Sequence, residues 1–160
     1  MIYKTPFTAI SKAIYAALSD NTNGIGLEWF DSAVPIDEIN DYFKNQTEFA
    51  YGIFGAAEAD CTPNKDTAIW DSSLALEIYS NYKGRKIVAE KLEAVLNYIS
   101  SDAGKNAIQH ALNVDGFVLV SMTVGPLRIN LPMYSVEAGV WQSGSTEITF
   151  RVTQLPISEE

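Results

Sequence analysis

Apolar side chains recur at three-to-four-residue spacing over residues 6–18, where Phe7, Ile10, Ile14, Ala17 and Leu18 share one helical face. Thr5 is placed to cap this helix and Pro6 suits its first turn. Asp20-Asn21-Thr22-Asn23-Gly24 ends it, and Ile25, Leu27 and Trp29 then alternate with Gly26 and Glu28 as in a half-buried strand. Over residues 34–47 the pattern weakens to a loop with a helical turn, introduced by Pro35 and the acids Asp37, Glu38 and Asp41. Alternation returns over residues 48–57, with Phe49, Tyr51 and Ile53 on one face and Gly52 and Gly55 as positions for close approach or a bulge. Residues 60–66 predict an exposed turn. Residues 69–79 predict a second long strand, paired antiparallel with the first, in which Trp70, Ser72, Leu74, Leu76 and Ile78 share a face.

Gly84 precedes a strongly amphipathic helix over residues 85–100, striped by Val88, Leu92, Val95 and Ile99. Residues 101–112 are small, polar and weakly helical, and residues 113–116 turn the chain into a strand over 117–124. Gly125-Pro126 ends or bends that strand. Leu127, Ile129, Leu131 and Met133 then alternate with Arg128, Asn130 and Pro132, the pattern of an extended arm or a sheet edge, because proline bars a central strand. Two further strands are expected over 136–141 and 146–154, separated by Gln142-Ser143-Gly144-Ser145, with a frayed tail from Pro156. The order predicts an α+β fold in one domain over residues 1–160: a mainly antiparallel sheet with two amphipathic helices on one face and an arm or hairpin near 125–135.

Composition narrows the function classes. With 160 residues, 47% of them hydrophobic and 19% charged, the chain can bury a sizeable core. No apolar run reaches the roughly 18 to 20 residues of a membrane span, and no basic-then-apolar leader opens the sequence. One cysteine, Cys61, and one histidine, His110, allow neither a disulfide framework nor a zinc site built from Cys and His. The net charge of −9 is regional: residues 20–77 hold 12 acids against Lys44 and Lys65. Such a surface repels phosphate backbones, although Lys83, Arg85, Lys86 and Lys91 form a small basic cluster beside the second helix.

Catalytic signatures are weak. His110 has no neighbouring nucleophile or carboxylate to orient it, and Asp60 next to Cys61 disfavours a thiolate. Asp60, Thr62, Asn64 and Asp66 offer oxygens at alternate positions, but Lys65 stands where a calcium loop requires glycine. Gly24-Ile25-Gly26 opens a strand rather than a helix and is a turn signal. Asn45-Gln46-Thr47 matches the glycan acceptor pattern without a secretory context. No catalytic, metal-binding or cofactor-binding residues are assigned. An apolar surface remains: Leu127, Ile129, Leu131, Met133 and Tyr134 form the candidate subunit interface, with folding onto the chain's own sheet as the alternative.

The order of elements resembles that of the tail-terminator or tail-completion proteins of tailed bacteriophages. The resemblance rests on Ala13-Ile14-Tyr15-Ala16-Ala17-Leu18 in the opening helix, Pro35 ahead of Tyr51-Gly52-Ile53-Phe54, Leu76-Glu77-Ile78-Tyr79-Ser80 leading to the helix near Arg85, and closing Ile148-Thr149-Phe150-Arg151-Val152. It covers residues 8–153, with residues 101–115 and 125–134 longer than the family pattern. It implies a non-enzymatic virion protein without cofactors, assembled in the host cytoplasm and located at the tail or neck. There it would form a homo-oligomeric ring, a hexamer as in that family, which terminates the tail tube and joins it to the portal or connector. The implied partners are other copies of itself, portal or connector and tail-tube proteins, and DNA passing through the lumen without specific binding, with no membrane. Two other readings are a monomeric adaptor that binds partners by strand addition through residues 127–134, and a small metal-dependent enzyme using Asp60, Asn64, Asp66 and His110.

Overall fold

A computed structural model describes residues 2–20, 22–136 and 139–157. Helix α1 (Phe7–Ser19) buries Ile10, Ile14, Ala17 and Leu18 of the predicted stripe, whereas Phe7, in its first turn, is left exposed at 40%. Thr5 does not cap it. Pro6 occupies the cap position without a side-chain bond, and the Ile10 amide is satisfied by the Pro6 carbonyl, so Thr5 lies one residue too far out. The helix ends where Asn23 folds back: its Nδ2 donates to the Ala17 and Leu18 carbonyls at 2.9 and 2.7 Å, while its Oδ1 accepts from the Ile25 amide.

Strand β1 (Glu28–Phe30) runs parallel to β2 (Ala50–Pro63), and helix α2 (Ile36–Tyr42) lies between them in sequence. β2 pairs antiparallel with β3 (Ala68–Ser80), as the alternation predicted. The register shifts between Phe54 and Ala57, at the glycine marked for a bulge. The shift puts Ala57, Ala59 and Cys61 in register with Leu74, Ser72 and Trp70, so the pairing persists to Pro63. The exposed turn is therefore shorter than the expected 60–66: Asp60 to Pro63 are strand, and the Asn64 amide donates to the Thr67 carbonyl to close the loop.

Helix α3 (Lys86–Ser100) follows the predicted stripe, and α4 (Asp102–Val114) is a full helix where only weak helicity was expected. Ser101 caps α4 by accepting from the Gly104 amide at 3.1 Å. Gly104 also presses against the Tyr98 carbonyl, a closeness that no side chain would permit. Ile108 and Leu112 anchor α4 in the core.

After α4 come β4 (Phe117–Val124), β5 (Arg128–Ile129), β6 (Met133–Ser135) and β7 (Gly139–Gln154). The expected break at Gln142-Ser143-Gly144-Ser145 does not exist; β7 runs unbroken through these residues and pairs with β3 from Gln142 to Gln154. The small residues are packing features: a Cβ on Gly144 would stand 2.6 Å from Val88 Cγ1 and 2.8 Å from Leu92 Cδ1, so α3 lies directly on the strand. Glu137 and Ala138, inside the first of the two expected strands, and residues 158–160 of the expected frayed tail lie outside the described residues.

The fold is α+β with a mainly antiparallel sheet in the order β1-β2-β3-β7-β4, and β5 and β6 continue the β4 track along β7. One face carries α1, α3 and α4 over Trp70, Leu74, Leu76, Ile78, Ile148, Phe150 and Val152. The count of helices thus exceeds the expected two, since α4 joins this layer. Short α2 packs on the other face through Ile39 and Phe43 against Phe49, Tyr51, Ile53 and Trp141. Among the described residues no helix is long and apolar enough to cross a membrane.

Candidate assembly surface

The segment predicted as arm or edge is the sheet's outer edge. A cis Gly125–Pro126 peptide separates β4 from β5, and the Gly125 amide still donates to the Glu147 carbonyl. Beyond β5 the Asn130 amide donates to the Ser143 carbonyl at 2.9 Å, and Asn130 Nδ2 donates to Ser143 Oγ at 3.1 Å. Met133, Tyr134 and Ser135 then pair with Trp141, Val140 and Gly139. The backbone is thus fixed while the side chains are not covered: Leu127 and Ile129 are about two-fifths exposed, at 41% and 38%, and Leu131, Met133 and Tyr134 reach 80%, 50% and 74%. Val136 at 91% and Val140 extend the patch, two residues that the alternation alone did not single out. Burying such a set against another surface stabilises by about 25 cal/mol per Å² of apolar area removed from water.

Beneath the hairpin the sheet's second face holds an apolar groove of about 390 Å³, lined by Val34, Tyr51, Tyr79, Met133, Tyr134 and Trp141 among others. Its floor is aromatic: Tyr51 stacks on Tyr79 with centroids 5.5 Å apart, and Trp141 meets Phe49 edge-on at 5.6 Å. Burial, with Tyr79 beside it, pushes the Tyr51 hydroxyl up to about 12, and burial raises Tyr79 too, helped by the Glu77 carboxylate. Both phenols are therefore neutral near pH 7. These rings come from three separate strands, so sequence spacing alone did not reveal the groove.

Farther along, the same face becomes polar and open. Glu58 and Asp60 on β2, Asp71 and Glu77 on β3, and Glu147 on β7 alternate outward from the helix-covered positions. Arg151 answers them: its Nε donates to Asp71 Oδ1 at 2.8 Å and its terminal nitrogen to Oδ2 at 3.2 Å. This hydrogen-bonded guanidinium holds the Asp71 carboxyl below its usual range.

The residues weighed for metal chemistry are not gathered. Asp60 faces outward beside Asp71, Asn64 and Asp66 lie in the β2–β3 turn, and His110 is exposed on α4, which covers the opposite sheet face. Among the described residues no group of three or more His, Cys, Asp or Glu is placed to hold a metal ion. In the basic cluster, Lys86 lies 4.0 Å from Glu90 one turn along α3, while Lys91 Nζ donates to the Ile25 carbonyl.

No protein-family model matches this chain, and no curated protein matches it. Among solved structures the fold is similar to that of a chain in the virion of a native gene transfer agent particle, with a TM-score of 0.51 and 14% sequence identity, over 92% of this chain and 96% of that one.

Proposed function

We propose that this protein is a structural component of a phage-like virion, whose copies assemble into a homo-oligomeric ring at the neck or the head-proximal end of the tail. In that place it terminates the tail tube and joins it to the portal or connector. The observation that carries this reading is the fold shared, over nearly the whole of both chains, with a component of a gene transfer agent virion. The uncovered hairpin from Leu127 to Tyr134 supports the oligomeric part, since an ordered apolar edge of this kind is stabilised by burial between subunits. The reading assigns the chain no chemistry of its own.

The open acidic face fits the same reading. With Glu58, Asp60, Asp71, Glu77 and Glu147 turned to the lumen, carboxylates repel the phosphate backbone and let DNA slide without adhering. Negative-stain images of the purified protein test the proposal. Rings with a central opening are expected; a uniform field of single small particles would contradict it. A monomeric adaptor that binds partners by strand addition through residues 127–134 is the second reading, favoured by the position of β5 and β6 at the outer edge of β7 among the described residues.

A further inference from the structure

A ring closed by rotation needs two different surfaces on each subunit, one that inserts and one that receives. The hairpin accounts for the first. Resting on the ring reading above, we infer that the second is the opposite sheet edge, where α1 of the next copy presents Phe7 and Tyr15, and the end of its α2 presents Tyr42, to the hairpin of the first.

The receiving edge exposes large apolar side chains. Phe7, Tyr15 and Tyr42 are 40%, 47% and 56% exposed, in a monomer whose other large aromatics are mostly buried or half-buried. Phe7 and Tyr15 line a shallow hollow of about 500 Å³ together with Asp31. Tyr42 meets Phe30 of β1 edge-on at 5.5 Å, which places it on the same sheet edge. Glu28 and Asp31 rim this edge, both exposed. Lys12 also lines the hollow, with its ammonium 3.7 Å from the Asp115 carboxylate.

Charge selects the occupant. The hairpin edge is rimmed by bases: Arg128 lies on β5, and Gly144 of β7 packs between the Arg128 carbonyl and Val88 of α3. Gln142 Nε2 of β7 donates to the Lys83 carbonyl at 3.1 Å, which ties the exposed Lys83 to the strand that carries the hairpin. One edge is thus apolar with a basic rim, and the other apolar with an acidic rim. β1 and the β4–β6 track are the two ends of the sheet order, so a copy can engage a neighbour on each side at once. Complementary rims favour this register and disfavour hairpin-to-hairpin pairing, which would set bases against bases.

Two variants of the full chain test the inference. Leu131→Asp with Tyr134→Asp blocks the hairpin edge, and Phe7→Glu with Asp31→Lys blocks the receiving edge; the charge-only pair Glu28→Lys with Asp31→Lys replaces the latter should it fail to fold. Each variant, confirmed as folded by circular dichroism, is expected to associate roughly a hundredfold more weakly and to run as a monomer. Mixed in equal amounts, they are expected to recover a dimer containing one copy of each, because each retains the surface that the other lacks. A receiving-edge variant that still assembles like the unmodified chain, or a mixture that stays monomeric, would overturn the inference and leave the ring reading standing. An unmodified chain that is itself monomeric would overturn both.

Discussion

Gly144 lies directly beneath Val88, and a single added carbon on the strand would stand 2.6 Å from the valine methyl. This contact sets how closely α3 approaches β7 and therefore holds the base of the hairpin in place. Gly144→Val is expected to destabilise the protein by about 1–3 kcal/mol or more through overpacking. Urea unfolding monitored by tryptophan fluorescence measures it; an unchanged midpoint would contradict the packing described.

The same contact explains where sequence and structure part. Alternation located β2 and β3, and three-to-four-residue spacing the stripe of α3, because each of those elements separates apolar from polar residues cleanly. Gln142-Ser143-Gly144-Ser145 resembled a loop since small polar residues are the usual turn formers, yet here small size is what α3 requires. Helix α4 was faint for a related reason: it buries little beyond Ile108 and Leu112, and Gly104 is chosen for its approach to Tyr98 rather than for helix propensity. The exposed apolar edge from Leu127 to Tyr134 was legible from residue type and alternation alone. The aromatic groove was not, since Tyr51, Tyr79 and Trp141 meet only after three strands have paired.

Tyr51 makes the alkaline limb of stability informative. Its folded-state pKa, about 12, lies above the ordinary phenol value of 10.0, so folding favours the protonated form. The contribution is complete below pH 10 and is lost as pH rises toward 12, as the unfolded chain ionises first. Tyr51→Phe is expected to flatten this loss by about 1–2 kcal/mol up to pH 11.5, allowing for solvent screening of a partly buried phenol. Urea midpoints between pH 9 and 11.5 give the comparison, and parallel curves for the two proteins would count against a buried, protonated Tyr51.

Asp71 carries the acid-side prediction with the opposite sign. Its pKa is depressed by the Arg151 hydrogen bonds, so the pair's contribution is complete above the unfolded carboxyl value and lost as pH falls through the folded one. In Arg151→Gln the Asp71 carboxyl should titrate at a higher pH, which carboxyl-carbon NMR reads directly. An unchanged midpoint would remove the pair from the account.

Gln154 ties the start of the chain to the end of the sheet. Only 1% exposed, it donates to the Ile2 carbonyl at 2.6 Å, and its Oε1 accepts from the Lys4 amide at 2.9 Å and from Trp70 Nε1 at 3.3 Å. Gln154→Ala is expected to cost about 1–3 kcal/mol by leaving these groups unpaired, and to raise hydrogen exchange at Lys4 while α3 remains protected. Equal protection at Lys4 in both proteins would contradict the tether.

Native mass spectrometry of the unmodified protein at micromolar concentration bears most directly on the central claim, that the exposed hairpin exists to meet other copies of the chain. A single closed species at an integral multiple of 17.6 kDa is predicted, collapsing to the protomer when Leu131 and Met133 are both changed to Asp. A protomer of 17.6 kDa at every concentration, unaffected by those substitutions, would contradict it.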